Sequence, residues 1–118
     1  MSKTPDRGDL VWVDFTPQAL HKQGRHEQAG HRPALVLSPR IYHRRSKLAV
    51  VCPISSNAAP WPWKVHLPGG LAVSGAVLVD QVRSIDRAGR TLRIAGQAPE
   101  AVVAEVQAKL AALFGIAV

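Results

Sequence analysis

The stretch Glu27-Gln28-Ala29-Gly30-His31-Arg32-Pro33-Ala34-Leu35-Val36-Leu37-Ser38-Pro39 carries polar chemistry straight into an apolar run. Its first six residues hold a carboxylate, an amide, an imidazole and a guanidinium. The run Arg32–Ser38 is short, rich in aliphatic residues and closed by a proline, which reads as a buried strand. Side chains at the end of a rigid strand are held in place, and sites are built there. Pro33 has no N–H for a ladder, so the sequence predicts an edge strand or a strand start at that point. Adjacent strand residues face opposite ways, so His31 and Arg32 are not expected to share one site.

Outward from this stretch, the other strands fall into line. Leu10, Trp12 and Phe15 mark a first strand ended by Thr16-Pro17. Thr16 to Gly30 has no sustained apolar pattern but holds His21, Lys22, Arg25 and His26, and reads as a long basic loop. Pro39–Lys47 reads as a turn or one short helix. Leu48–Ile54 is continuously apolar and reads as a central strand, with Pro53 marking a bulge or exit. Trp61–Leu67, Val73–Val79, Val82–Ile85 and Thr91–Ala95 complete the strands, with Pro68-Gly69-Gly70 as a turn.

The period then changes. Pro99-Glu100 opens a helix, Val102, Val106, Leu110 and Leu113 recur at helical spacing with Val103 and Phe114 beside them, and Gly115 stops it. The pattern is mainly β with a C-terminal α-helix: a small antiparallel barrel or half-open sheet capped by that helix. One domain over residues 1–118 is expected, with Met1–Arg7 as a loose end.

Composition narrows the function. The 118 residues carry a formal net charge of +7, from 15 Lys and Arg against 8 Asp and Glu. That excess favours a polyanionic partner such as nucleic acid. Cys52 is the only cysteine, so no internal disulfide forms and a reducing cytoplasm is expected. Met1–Asp6 has no apolar core of a signal peptide, and no apolar run approaches the roughly 20 residues that span a bilayer. Five histidines are scattered, with no His-Glu-x-x-His and no paired cysteines, so neither a metal nor another cofactor is expected.

What is left is acid–base and electrostatic chemistry. Arg32 stays protonated and offers a planar fork of donors to a phosphate, or pairs a carboxylate structurally. Glu27 is a general base, an orienting carboxylate for Arg32 or a solvated loop residue. Ser55 and Ser56, at the exit of the third strand, can donate to a phosphate oxygen or simply cap a loop. Trp61 and Trp63 are either a core pair or a platform on which bases stack. Arg83, Arg87, Arg90 and Arg93 form a solvated face or track a phosphate backbone. RNA is cleaved without metal when the adjacent 2′-hydroxyl attacks the phosphorus, so these parts suffice for a nuclease.

Gly8-Asp9-Leu10-Val11-Trp12-Val13-Asp14-Phe15, the Glu27–Pro39 stretch, Trp61-Pro62-Trp63 and Asp80-Gln81-Val82-Arg83-Ser84 occur in an order that resembles the MazF/PemK family of toxin endoribonucleases. The resemblance covers the chain from about Gly8 to Gly115. It implies the SH3-like barrel shared by MazF, PemK and CcdB toxins, a homodimer, and metal-independent cleavage of single-stranded RNA at short sequences. The products implied are a 2′,3′-cyclic phosphate and a 5′-hydroxyl. It also implies inhibition by an acidic cognate antitoxin, MazE-like, laid across the RNA groove. Under it Arg32, Ser55 and Glu27 are catalytic, and Gln28 and Gln81 face the RNA. His31, Ser56, Trp61 and Arg83 complete the substrate-binding candidates. Ser55 stands where the family has Thr, and Trp61-Pro62-Trp63-Lys64 where it often has Tyr-Pro-Phe-Glu. The first loop is longer and more basic. A toxin of the same fold that poisons DNA gyrase by binding, or an SH3-like nucleic-acid-binding module, are the rival readings.

Overall fold

Alternation in β1 (Asp9–Asp14) sends Val11 and Val13 to one face of a sheet and Leu10 and Trp12 to the other. The structure is a computed structural model that describes residues 4–14, 31–89 and 92–117. After β1 come β2 (His31–Val36), α1 (Arg40–His43), β3 (Leu48–Ser55), β4 (Lys64–His66) and β5 (Ala76–Leu78). A 3₁₀ turn (Val79–Gln81), β6 (Arg83–Asp86), β7 (Leu92–Gln97) and α2 (Glu100–Phe114) follow. The described pairings are antiparallel, in the order β4-β5-β3-β2-β1-β7, with β6 also on β3. The expected basic loop, with Glu27 and Gln28, lies outside the described residues, as do Phe15, Arg90 and Thr91.

The two faces have different partners. Val11, Val13, Ala34, Val36, Val51 and Ile85 form one buried cluster, joined by Leu92 and Ile94 of β7. Strands from opposite ends of the sheet, β6 and β7, touch the same cluster, so the sheet curls into a small unclosed barrel around it. On the other face Leu10, Leu35, Cys52, Val65 and Val77 pack with Val102 and Val106 of α2. The helix ends where expected: Gly115 takes φ +72°, and Ile116 N–H closes onto Ala111 O at 2.8 Å. Leu113 and Phe114, read from the sequence as part of the packing stripe, are instead exposed.

β3 is central, as its apolar run predicts: Val51 pairs with Val36 on one side and Arg83 on the other. Its proline behaves differently from the expected bulge or exit. Pro53 stays in register opposite Ala34. Leu37 N–H donates to Val50 O at 2.8 Å, so Val50 faces β2, and alternation turns Pro53 to the other edge. There β6 pairs Leu48–Val51, β5 pairs Ile54 and Ser55, and the chain between them leaves the ladder as the 3₁₀ turn. The irregularity falls on the neighbour, which has no Pro53 N–H to pair with.

Pro33 is a strand-start proline rather than an edge one. β2 lies between β1 and β3, and its ladder to β3 reaches only Ala34. The expected fourth strand is shorter than Trp61–Leu67. Trp61-Pro62-Trp63 forms a turn closed by Lys64 N–H on Trp61 O at 3.1 Å, with Pro62 preset for the bend. The two tryptophans therefore do not share a strand face. Val73–Val79 shortens to Ala76–Leu78, because Gly75 turns the chain at φ +124°. The last strand runs on to Gln97.

Of the expected loose end, Thr4–Arg7 is hydrogen-bonded to the sheet and α1. Arg7 Nε donates to Leu37 O at 2.7 Å and Arg40 Nε to Thr4 O at 3.1 Å. The buried His43 donates from Nδ1 to Pro5 O at 2.8 Å, and its Nε2 meets Ser38 Oγ at 2.6 Å. Asp6 Oδ1 accepts the N–H of Arg40 at 2.8 Å, an otherwise unpaired donor at the start of α1.

That bond, ahead of the charges of Arg40 and Arg7, holds the Asp6 carboxyl below its ordinary 3.8. A depressed carboxyl stabilises the fold above its unfolded pKa and stops doing so as pH falls through the folded value. Asp6→Asn is therefore expected to lower the thermal midpoint at neutral pH. The gap to wild type should close once the pH is well under 3.8, checked by melting curves across the acid range.

Candidate active site

Where β2 and β3 stop pairing, a cleft of about 740 Å³ opens. By the same alternation that turns Val50 to β2, Leu35 and Leu37 face β3, and Pro33 would face it next. It has no N–H, and the strands part. Pro33 and Pro53 both line the cleft they help to open. Arg32 joins them from β2, Ser55 from β3 and Ser56 from just beyond. Gln81 and Arg83 enter from the 3₁₀ turn and β6, Trp12 from β1, and Ala72–Ser74 from the segment before β5.

Register explains the convergence. Val13 lies opposite Arg32, Ala34 opposite Pro53, and Val51 opposite Arg83. Opposed residues share a face. Arg32, Ser55 and Arg83 therefore continue the face whose apolar members fill the barrel, and they stand at its mouth. Along that face the barrel interior changes from Ala34 to Arg32 and from Ile85 to Arg83 in two residues, and from Val51 through Pro53 to Ser55 in four.

Five sequence candidates, Arg32, Ser55, Ser56, Gln81 and Arg83, thus reach one cleft. His31 does not line it; it lies opposite Asp14, one position out of phase with Arg32. Trp61 stands outside the lining, 51% exposed, with Nε1–H on Asp80 Oδ2 at 3.0 Å. Glu27 and Gln28 lie outside the described residues. Trp12, the two prolines and Ala72–Ser74 were not read as site residues from the sequence. Two prolines near the ends of apolar runs that become neighbours were the available signal.

Ser55 is held from two sides. Its Oγ accepts the Asn57 N–H at 3.0 Å, which occupies one lone pair and leaves the hydroxyl proton to donate elsewhere. Gly75 packs against its backbone: a Cβ there would lie 3.0 Å from the Ser55 carbonyl carbon and closer still to its oxygen. Among the described residues the lining contains two arginines and no carboxylate. Cys52 sits behind the cleft in the core. Burial, with the Asp80 charge second, pushes its thiol up to about 12, so it supplies no nucleophile. No three described His, Cys, Asp or Glu side chains gather into a set able to hold a metal ion. No described helix is long and apolar enough to cross a membrane.

Residues 6–114 match the family model described as PemK-like, MazF-like toxin of type II toxin-antitoxin system. The endoribonuclease toxin MazF of Escherichia coli strain K12 is 38% identical over 111 residues, covering 94% of this chain and 95% of the relative. Endoribonuclease PemK of Escherichia coli is 33% identical over 112 residues, covering 92% and 80%. Among solved structures, MazF of Deinococcus radiodurans superposes with TM-score 0.83 at 47% identity, covering 98% of this chain and all, 100%, of the other. A MazE–MazF complex from the same organism gives 0.84 at 40% identity, with the same coverage.

Gly75→Ala is expected to destabilise the fold by about 1–3 kcal/mol and to displace Ser55. Gly70→Ala is the control, since Gly70 also has positive φ, at +87°, but nothing within 4 Å of its missing Cβ. Denaturant melts of the two variants separate the backbone strain they share from the close approach peculiar to Gly75.

Proposed function

The chain belongs to the PemK-like, MazF-like toxin family of type II toxin–antitoxin systems, and from that premise we propose a metal-independent endoribonuclease that cuts single-stranded RNA at short sequences. The observation that carries the reading is a guanidinium and a hydroxyl from two neighbouring strands, Arg32 and Ser55, lining one cleft with no described carboxylate between them. Such a site suits a phosphodiester, and a toxin that acts on gyrase by binding alone needs no such pair.

The chemistry follows from the parts. The 2′-hydroxyl beside the scissile bond attacks phosphorus, the bond to the 5′-oxygen breaks as that oxygen takes a proton from solvent, and a 2′,3′-cyclic phosphate and a 5′-hydroxyl result. Negative charge builds on the nonbridging oxygens on the way. The Arg32 fork meets that charge with paired N–H donors. Ser55, with Asn57 N–H on one lone pair, points its own proton at the same oxygens. Ser substitutes for Thr here with the hydroxyl kept and the β-branch that stiffens χ1 lost. Glu27, five residues ahead of Arg32 in the sequence, is assigned the proton of the attacking 2′-hydroxyl. Ser56, Gln81 and Arg83 hold the flanking sugar–phosphate, together with Gln28.

The same reading includes a homodimer, a cytoplasmic setting and an acidic antitoxin. The antitoxin partner draws support from the MazE–MazF complexes of Deinococcus radiodurans and from the net charge of +7.

Arg32→Ala is expected to slow cleavage about 100- to 1,000-fold, the size of losing one transition-state donor. Ser55→Thr should keep activity where Ser55→Ala does not. Primer extension on a long RNA reads cleavage and position together, and cutting by Arg32→Ala at the wild-type rate would remove the assignment. Excess EDTA should leave the rate of wild type unchanged; complete inhibition would overturn the metal-free mechanism while leaving the cleft in place.

A further inference from the structure

Trp61 is a large aromatic left 51% exposed. Its one polar atom is already engaged: Nε1–H donates to Asp80 Oδ2 at 3.0 Å. What the ring has left for a ligand is its apolar, π-bearing surface. Asp80 belongs to the 3₁₀ turn, and the next residue, Gln81, lines the cleft. The indole therefore stands on the rim of the site, one residue out from its lining.

The segment that carries the ring is fixed at three backbone carbonyls, and the loop before it at two more. Lys64 N–H closes the turn onto Trp61 O at 3.1 Å, and Val79 N–H holds Trp63 O at 2.9 Å. Lys109 Nζ donates from α2 to Pro62 O at 2.7 Å. Lys64 Nζ donates to Asn57 O at 2.9 Å and Ala59 O at 2.6 Å, tying down the loop that leaves Ser55. The Trp61–Trp63 backbone is thus held at three carbonyls, the adjoining loop at two, and the ring by its own bond to Asp80, before any ligand arrives. A binding surface whose ordering cost is met during folding gains affinity without losing it again to entropy.

We propose that Trp61 is a stacking subsite for an unpaired base of the RNA strand, flanking the nucleotide bound in the cleft. The proposal rests on the reading of the cleft as an RNA-cleaving site. An indole face accepts any of the four bases, so Trp61 contributes affinity and strand direction over the rim, while base identity is read elsewhere. Asp80 acts through Trp61 as a positioning residue: it sets the ring angle and satisfies the indole N–H that would otherwise need water.

The test uses the intact chain and a single-stranded RNA that it cleaves, shortened stepwise from either end, and the same RNA with a 2′-deoxy sugar at the scissile position for binding. Trp61→Ala should raise KM on the long RNA and Kd for the deoxy analogue by about 5- to 150-fold, the range of one lost base–aromatic stack. The value of kcat should stay near that of wild type, and Trp61→Phe should restore most of the affinity. Trimming the RNA past the stacked base should erase the difference between wild type and Trp61→Ala. An unchanged KM and Kd for Trp61→Ala on the long RNA overturns the subsite, whatever wild type cleaves. Analogue binding that depends on Trp61, in a wild type that cuts no RNA, overturns the cleavage chemistry and leaves the subsite standing.

Discussion

The cleft depends on two backbone N–H groups that do not exist. A sheet continues as long as each edge finds donors and acceptors opposite, and a proline withholds the donor. Pro33 does so on the β2 edge that faces β3, where the ladder ends at Ala34. Pro53 does so on the far edge of β3, between the stretches paired with β6 and β5. There the chain steps out as the 3₁₀ turn and brings Gln81 to the cleft. The two prolines part the strands on either side of β3 at the same end of the barrel. They do so without a bulge in β3 itself, so Ser55 keeps the strand geometry of the residues before it.

The parity of the strands then decides which chemistry the gap receives. The residues that fill the barrel and the residues at its mouth belong to one alternating set, running Val36, Ala34, Arg32 on β2 and Ala49, Val51, Pro53, Ser55 on β3. The guanidinium lies two residues beyond the fully buried Ala34, and the hydroxyl two residues beyond the half-buried Pro53. Strand ends so close to a close-packed core move little, which is what a donor aimed at a developing charge requires.

Much of this was legible in the residues, and the rest failed for identifiable reasons. The strands β1, β2 and β3 and the helix α2 were readable because their apolar periods are unbroken and their ends carry Pro or Gly. The separation of Arg32 from His31 followed from period two alone, and the structure keeps them apart. Trp61 and Trp63 misled, because alternation was applied across Pro62, where the backbone turns instead of extending. Val73–Val79 misled for the same reason at Gly75, whose positive φ no apolar count reveals. The roles of Pro33 and Pro53 were not legible singly. A proline shows in the sequence, but which edge it disables depends on register, and register is a property of two strands. The resemblance to a known family supplied Ser55 where a serine pair alone did not single it out.

The charge of the site follows from what is missing from its walls as much as from what is present. A structural arginine at a strand start is ordinarily answered by a carboxylate, and among the described residues none lines this cleft. Asp80, one residue before the cleft-lining Gln81, is engaged by the Trp61 indole. The chain's +7 charge draws anions from outside toward the two lining arginines. Ser55 fits the same logic. Its Oγ carries the Asn57 N–H on one lone pair and its backbone is backed by Gly75, which leaves the hydroxyl proton to be donated. Under the proposed function the guanidinium and the hydroxyl together meet phosphate oxygens, and their grip tightens as those oxygens gain charge.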